Sequence, residues 1–399
     1  MNTPICGLDV ASTSAAACIQ AADGTVLHQL NLPATRAGED QLLALLPAGT
    51  VVFTESTGRH HLPWARRLTA AAHPVYVLNA LLAKRLIGVT NALRHNKTDK
   101  IDARQLADIG RRDGDALQTY RFKENPDQLR LRTLCAVRIR QRQVLTDALK
   151  SAADLLQSML PEVPELALAQ MHGLAQLFLR IDSLARLQRM RLVSLQTYAH
   201  GKAEKLHAAL HQPMSAAAVF DALLPALQGQ LRLIESLREQ QQALLAVIRT
   251  AVKTGCRAEE VRLVETIPGY GEKTAAAIVA CVPDDLRSWG PKQKVARKLQ
   301  AYFGCDPKLR ESGRWKGKVR MSKRGIEMAR TALFQAAICG MLHDPDMKAV
   351  FDRKKAEGKH YLVAVSHVMR LQLRRLVAVL YDQKPFVRLS LAAAIAPEI

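Results

Sequence analysis

Four acidic residues are spaced as a divalent-metal site for phosphate chemistry would need them. Asp9 sits near the end of an apolar run over residues 5–10, and Glu55 directly follows another over 50–54. Asp99 and Asp102 open a helical pattern, three residues apart. Carboxylates at the C-terminal ends of strands stand where α/β sheets usually place their chemistry. Acids spaced i, i+3 project from one helix face, beside the positive end of its dipole. Four hard oxygen ligands suit one or two Mg²⁺ ions. A pair of ions about 3.5–4 Å apart stabilises the attacking and leaving oxygens of a phosphodiester. A second reading takes Asp99 and Asp102 as a plain N-cap and first-turn acid, and Glu55 as an ordinary loop residue.

Nucleophilic chemistry is available nearer the other end. Ser312, in Glu311-Ser312-Gly313, stands among Lys308, Arg310, Arg314, Lys316, Lys318 and Arg320. Ser322 precedes Lys323 and Arg324. A hydroxyl that attacks a phosphodiester needs cations to stabilise the pentavalent oxyanion, and a backbone that lets phosphate approach. Both serines have the cations. The other reading makes them loop or capping serines in a run that simply grips phosphate. Upstream, Pro268-Gly269-Tyr270-Gly271 resembles the turn of helix–hairpin–helix DNA-binding motifs. Two glycines permit a tight turn, the helix N-terminus that follows offers N–H groups to a phosphate, and Lys273 adds a cation. Such contacts hold the backbone and read no sequence. The same turn would equally serve to pack two helices together.

The elements that must position these groups follow from periodicity. Residues 1–125 predict strands over 5–10, 15–21 and 26–32, with Asp23-Gly24 as a hairpin turn, then a helix over 38–46 and a strand over 50–54. A helix over 62–72, a strand over 75–78 and helices over 82–89 and 99–112 follow. That order argues for a mixed α/β sheet. From Pro126 the chain turns to long helices. Leu145, Ala148, Ala152, Leu155 and Met159 step by threes and fours, as do Ile234, Leu237, Gln241, Leu244 and Ile248. Such heptad-like seams fit either a helical bundle within one subunit or a coiled coil that pairs subunits. The expected fold class is α/β plus all-α, with domains at 1–125, 126–255 and 256–399.

Composition sets the outer limits. At ~150 residues per domain, 399 residues allow two or three domains. Hydrophobic residues at 48% and charged residues at 23% exclude global disorder. No run of ~18 uncharged apolar residues and no secretory signal pattern is present, so no membrane partner and a cytoplasmic location are expected. The seven cysteines form no CxxC pair, which argues against structural zinc and a disulfide framework. The net charge of +21 points to a polyanion. It is graded: 14 basic against 11 acidic residues in 1–125, 16 against 10 in 126–255, and 27 against 15 in 256–399. A gradient of this kind suggests a dedicated binding surface around the serines.

Together the motifs resemble an insertion-sequence transposase family. Gly7-Leu-Asp-Val-Ala11, Thr54-Glu-Ser-Thr-Gly58 and Asn96-Lys-Thr-Asp-Lys-Ile-Asp-Ala103 look like its three acidic motifs. Ile267-Pro-Gly-Tyr-Gly-Glu-Lys-Thr-Ala275, Ala301-Tyr-Phe-Gly-Cys-Asp-Pro307, Glu311-Ser-Gly313 and Met321-Ser-Lys-Arg-Gly325 follow in its order. The resemblance covers roughly the first 115 and last 140 residues. It departs at Ile326, where the family often has Asn or Asp, and at Cys305-Asp306, which replaces a more apolar pair.

The family joins an RNase H-like DEDD domain to a C-terminal transposase domain carrying a catalytic serine. It includes bridge-RNA-guided recombinases and has pilin-gene invertases as relatives. The resemblance implies that Asp9, Glu55, Asp99 and Asp102 bind Mg²⁺, with Mn²⁺ as an in vitro substitute, and that Ser312 rather than Ser322 is the nucleophile. It further implies DNA as substrate, a structured guide RNA, a dimer or tetramer, and action at the bacterial nucleoid. Gly269, Gly271, Lys273, Arg314, Lys316, Lys318, Lys323 and Arg324 are the expected nucleic-acid contacts. Other readings are a resolvase-like metal-dependent nuclease, an invertase without guide RNA, and a non-catalytic architectural protein.

Overall fold

The computed structural model describes residues 3–56, 58–90, 98–162, 171–211, 216–308, 311–312, 315–316 and 320–388. It comprises two units, Met1–Asn125 and Pro126–Ile399. In the first, β1 (Ile5–Val10), β2 (Ser14–Gln20) and β3 (Val26–Pro33) form an antiparallel meander. β4 (Val51–Glu55) and β5 (Val75–Leu78) extend the sheet in parallel, giving the order β3-β2-β1-β4-β5. Parallel neighbours cannot be joined by a tight turn. The chain instead crosses over through α1 (Arg36–Leu45), which leads to β4, and α2 (His61–Ala70), which leads to β5. α3 (Ala80–Thr90) and α4 (Asp99–Asp113) follow. The mixed α/β sheet expected from the sequence is present.

Strand alternation sends successive side chains to opposite faces. Cys6, Leu8 and Val10 join Leu42 of α1 and Trp64, Ala65 and Leu68 of α2 in one core. Ile5 and Phe53 join Ala83 of α3 and Leu106, Ala107 and Ile109 of α4 in the other. α4 lies close on the sheet because small residues make room for it. Ala16 and Cys18 of β2 bury against Ala103, and a Cβ on Gly7 would stand 1.9 Å from the Ala103 carbonyl oxygen. On the helix side, a Cβ on Gly110 would stand 2.3 Å from the Phe53 ring. Gly7→Ala must therefore lift α4 off β1. We expect a loss of about 3 kcal/mol, read as a lowered Tm of the full chain; an unchanged Tm would contradict this packing.

Among its described residues the second unit is helical apart from two short ladders. Its long α5 (Pro126–Met159) packs along α10 (Ala217–Thr254). Between them come α6 (Met171–Phe178), α7 (Leu184–Gln188), α8 (Leu192–Ala199) and α9 (Ala203–His211). Both seams read from the sequence contribute buried residues to cores within the chain. Ala148, Ala152 and Met159 bury with Ile234 and Leu237 in one core, which Leu145 and Leu155 flank. Ile248 and, beside it, Leu244 join a second core. That second core also gathers α11 (Ala258–Glu265), α12 (Glu272–Val279), α13 (Lys292–Tyr302), α14 (Glu327–His343), α15 (Pro345–Ala356) and α16 (Tyr361–Asp382). The described cysteines are free, as the scattered spacing suggested. Among the described residues no helix is long and apolar enough to cross a membrane.

Candidate functional site

The acids of the first unit converge through backbone placement. Leu8 of β1 pairs with Thr54 of β4, so Asp9 and Glu55 are the next residues on adjoining parallel strands. Alternation puts both on the face that carries Ile5, Gly7 and Phe53, the face covered by α4. α4 runs antiparallel to β1. Asp108 accepts a 2.8 Å hydrogen bond from the Gln20 amide, beside the start of β1, and Ala103 lies over Gly7. The first turn of α4, with Asp99 and Asp102, therefore lies toward the Asp9 end. Thr98 caps the helix, its hydroxyl accepting from the Ile101 N–H at 3.3 Å. Asp99 is thus no N-cap: it is an exposed first-turn residue, and Asp102 is half-buried one turn on.

These donors suit a hard cation by type: four carboxylates, from three elements, toward the C-terminal ends of the interior strands β1 and β4. As side chains they do not close around a point. Among the described residues no three His, Cys, Asp or Glu side chains come together as one ion demands. Asp9, Glu55 and Asp102 are each engaged with a neighbouring group. Residues 91–97, including the Asn96-Lys97 start of the third acidic motif, lie outside the described residues.

The two serines of the second unit fall in the basic stretch 307–322, here termed the arm, whose described residues form two separate antiparallel ladders. Pro307 and Lys308 pair with Met321 and Arg320 in one, and Glu311 and Ser312 pair with Lys316 and Trp315 in the other. Two residues, Gly313 and Arg314, separate the innermost pair; both lie outside the described residues, as does Lys318. Ser312 thus borders these two residues, whereas Ser322 follows the outermost pair. Ser322 donates its N–H to the Asp306 carbonyl at 2.8 Å and its hydroxyl to the Asp306 carboxylate.

The glycine turn upstream is accounted for by packing. Gly269 has φ +93°, and a Cβ there would lie 2.2 Å from the Ala336 carbonyl oxygen and 2.7 Å from the Gly340 nitrogen. Buried Gln372 holds this junction by donating to the carbonyls of Pro268, at 2.7 Å, and Ala336, at 3.1 Å. At the start of α12, the Gly271 N–H donates to the Thr274 hydroxyl at 2.9 Å. Glu272 takes two hydrogen bonds from Arg249, at 2.6 and 3.0 Å, which hold its carboxylate below the usual range. Lys273 is exposed, and so are Lys323 and Arg324.

Comparison with known proteins assigns both ends of the chain. Residues 6–163 match the DEDD transposase model of IS110 elements, and residues 261–352 match the model of the IS116/IS110/IS902 transposase family. Between them the two matches cover more than half of the chain, in the order the motifs predicted. The chain belongs to the IS110/IS116 transposase family. The first match spans Asp9, Glu55, Asp99 and Asp102; the second spans Gly269, Ser312 and Ser322. Among similar proteins, an insertion element IS900 uncharacterized 42 kDa protein of Mycobacterium paratuberculosis is 28% identical over 126 residues, 32% of this chain and 31% of its own. An insertion element IS110 uncharacterized 43.6 kDa protein of Streptomyces coelicolor is 27% identical over 162 residues, 41% of this chain and 37% of its own. The chain thus aligns with about a third of the length of each of these relatives.

Family motifs alone did not single out three of the residues that build these sites. Gly7 carries a readable signal, since a glycine inside a strand marks close backbone approach. Asp306 stood out only as a departure from the family, and its bond to Ser322 becomes visible only in the fold. Gln372 gave no signal: a lone glutamine in a helical run reads as a solvated residue.

Proposed function

We propose that this chain is a DNA transposase that cuts and rejoins strands through a two-part active site. The observation that carries this reading is the pair of transposase matches, one over the acid-bearing unit and the other over the basic arm. The strand order β3-β2-β1-β4-β5, with its antiparallel meander and two parallel additions, supports an RNase H-like first domain. Domain limits at 125 and 255 accord with the change of character at Pro126 and with a basic C-terminal third.

In this reading Asp9, Glu55, Asp99 and Asp102 hold Mg²⁺, for which Mn²⁺ can substitute. Such an ion, when bound, supplies polarisation of a phosphate oxygen and relief of charge on the leaving oxygen. The Ser312 hydroxyl loses its proton and attacks phosphorus. The bond to the 3′ oxygen breaks, that oxygen gains a proton, and the 5′ phosphate stays esterified to serine. A 3′-hydroxyl then displaces serine, restoring the hydroxyl and a phosphodiester without ATP. Lys323, Arg324 and Lys273, with Arg314, Lys316 and Lys318, neutralise the backbone phosphates. We infer from the family resemblance that acids of one subunit meet the serine of another, and that a structured RNA directs target choice in the bacterial cytoplasm.

The test is denaturing electrophoresis of the full chain incubated with labelled element-end DNA and Mg²⁺. A DNA-linked protein band is expected. Cleavage with no linked band would instead establish the resolvase-like nuclease, in which water attacks directly.

A further inference from the structure

Three non-glycine residues among those described have left-handed backbone: Ala72 at φ 64°, Lys323 at 54° and Gln383 at 51°. Ala72 follows the last residues of α2, and Gln383 caps α16, where helices commonly end in this conformation. Lys323 ends no helix, and α14 begins only at Glu327. A side chain there is strained, and such strain persists only where the surroundings over-determine it.

The surroundings are a clamp. Asp306 takes both the N–H and the hydroxyl of Ser322, and the Lys323 N–H donates to the Gly304 carbonyl at 3.0 Å. Gly304 and Gly325 stand back to back. A Cβ on Gly304 would lie 2.4 Å from the Gly325 nitrogen, and one on Gly325 would lie 2.0 Å from the Tyr302 carbonyl oxygen. Arg330 ties the two strands of chain from below, donating to the carbonyls of Phe303, at 3.1 Å, and Gly325, at 2.8 Å. Five contacts thus fix a backbone whose outer side chains, Lys323 and Arg324, are exposed and form no ion pair among the described residues.

We propose that the Asp306–Ser322 clamp is a positioning device that holds strained Lys323 and neighbouring Arg324 against a backbone phosphate of the bound nucleic acid. Ser322 thereby acquires a role different from that of nucleophile. Asp306, the acid found where the family is more apolar, acts as a hydrogen-bond acceptor rather than as a base. This inference rests on the nucleic-acid reading of the second unit. It predicts that an uncharged acceptor will serve in place of Asp306.

The experiment measures binding of the full chain to a labelled DNA duplex over a range of salt concentrations. The slope of log affinity against log salt reports the number of phosphates neutralised. Lys323→Gln is expected to reduce the slope by about 1. Asp306→Ala and Ser322→Ala are expected to reduce it by about 1 to 2, as one or both cations lose their place, with the circular dichroism spectrum unchanged. Asp306→Asn and Ser322→Thr keep the bond and are expected to retain the slope. Should Asp306→Ala fail to fold, Ser322→Ala and Lys323→Gln still decide the matter. A folded Ser322→Ala protein with the wild-type slope overturns the proposal, as does Asp306→Asn losing as much as Ser322→Ala. Failure of the transposase reading is separately visible: the linked band would be missing from the wild-type protein whatever the slopes.

Discussion

Ser312→Ala is expected to abolish the covalent protein–DNA band while changing DNA affinity less than about twofold, since no phosphate-neutralising charge is lost. The substitution removes one oxygen and no charge. Ladder pairing of residue 312 with Trp315 is made by backbone groups, so the arm keeps its register. Without that oxygen no phosphoserine can form at this position. Ser322→Ala should behave in the opposite way: weaker, less salt-sensitive binding, with the linked band still formed when DNA is saturating. The two serines are thus separable in one gel and one titration. Retention of the band by Ser312→Ala, with its loss in Ser322→Ala, would transfer the nucleophile's role to the base of the arm.

Asp9→Asn and Asp102→Asn should each lower strand cleavage on the order of 10³-fold, the scale seen when a charge-stabilising group is removed from an active site. Asparagine preserves shape, so the half-buried positions beside β1 and α4 should remain filled and the Tm nearly unchanged. DNA binding should hold steady or rise slightly, because each change removes a negative charge from a protein expected to bind a polyanion. Cleavage assayed against Mg²⁺ and Mn²⁺ concentration checks the point. Wild-type cleavage in both variants would favour the architectural reading, in which these acids are incidental.

The first unit was largely legible because each of its signals is local. Apolar runs bounded by turn residues placed β1 and β5 at the residues observed, and Asp23-Gly24 marked the β2–β3 turn. The approach of α4 to β1 was not stated by periodicity, though Gly7 and Gly110 were its traces in the sequence. In the middle of the chain, the repeating apolar positions correctly identified a buried face. A heptad pattern says that a face is covered and not by what. Here the covering comes from α5 and α10 of the same chain and from the helices between them. The basic arm was legible as motif and composition but not as structure. Two-residue ladders carry too few side chains for a period, and Asp306 and Ser322 are sixteen residues apart in sequence.

Charge shows the same division. The excess of basic residues after residue 255 was readable by counting, and the exposed Lys323 and Arg324 agree with it. What counting could not show is that a strained backbone holds those two cations in place. Nor could it show that the glycines of the Pro268–Gly271 turn answer to Ala336, Gly340 and Gln372 within the fold.

The most direct measurement is the identity of the residue that carries DNA. Wild-type protein is allowed to react with element-end DNA, the product is digested with protease and nuclease, and the nucleotide-bearing peptide is sequenced by mass spectrometry. The expected result is a single modified residue, Ser312, esterified to a 5′ phosphate. Modification of Ser322 or any other side chain, or cleaved DNA with no modified peptide, would contradict the account.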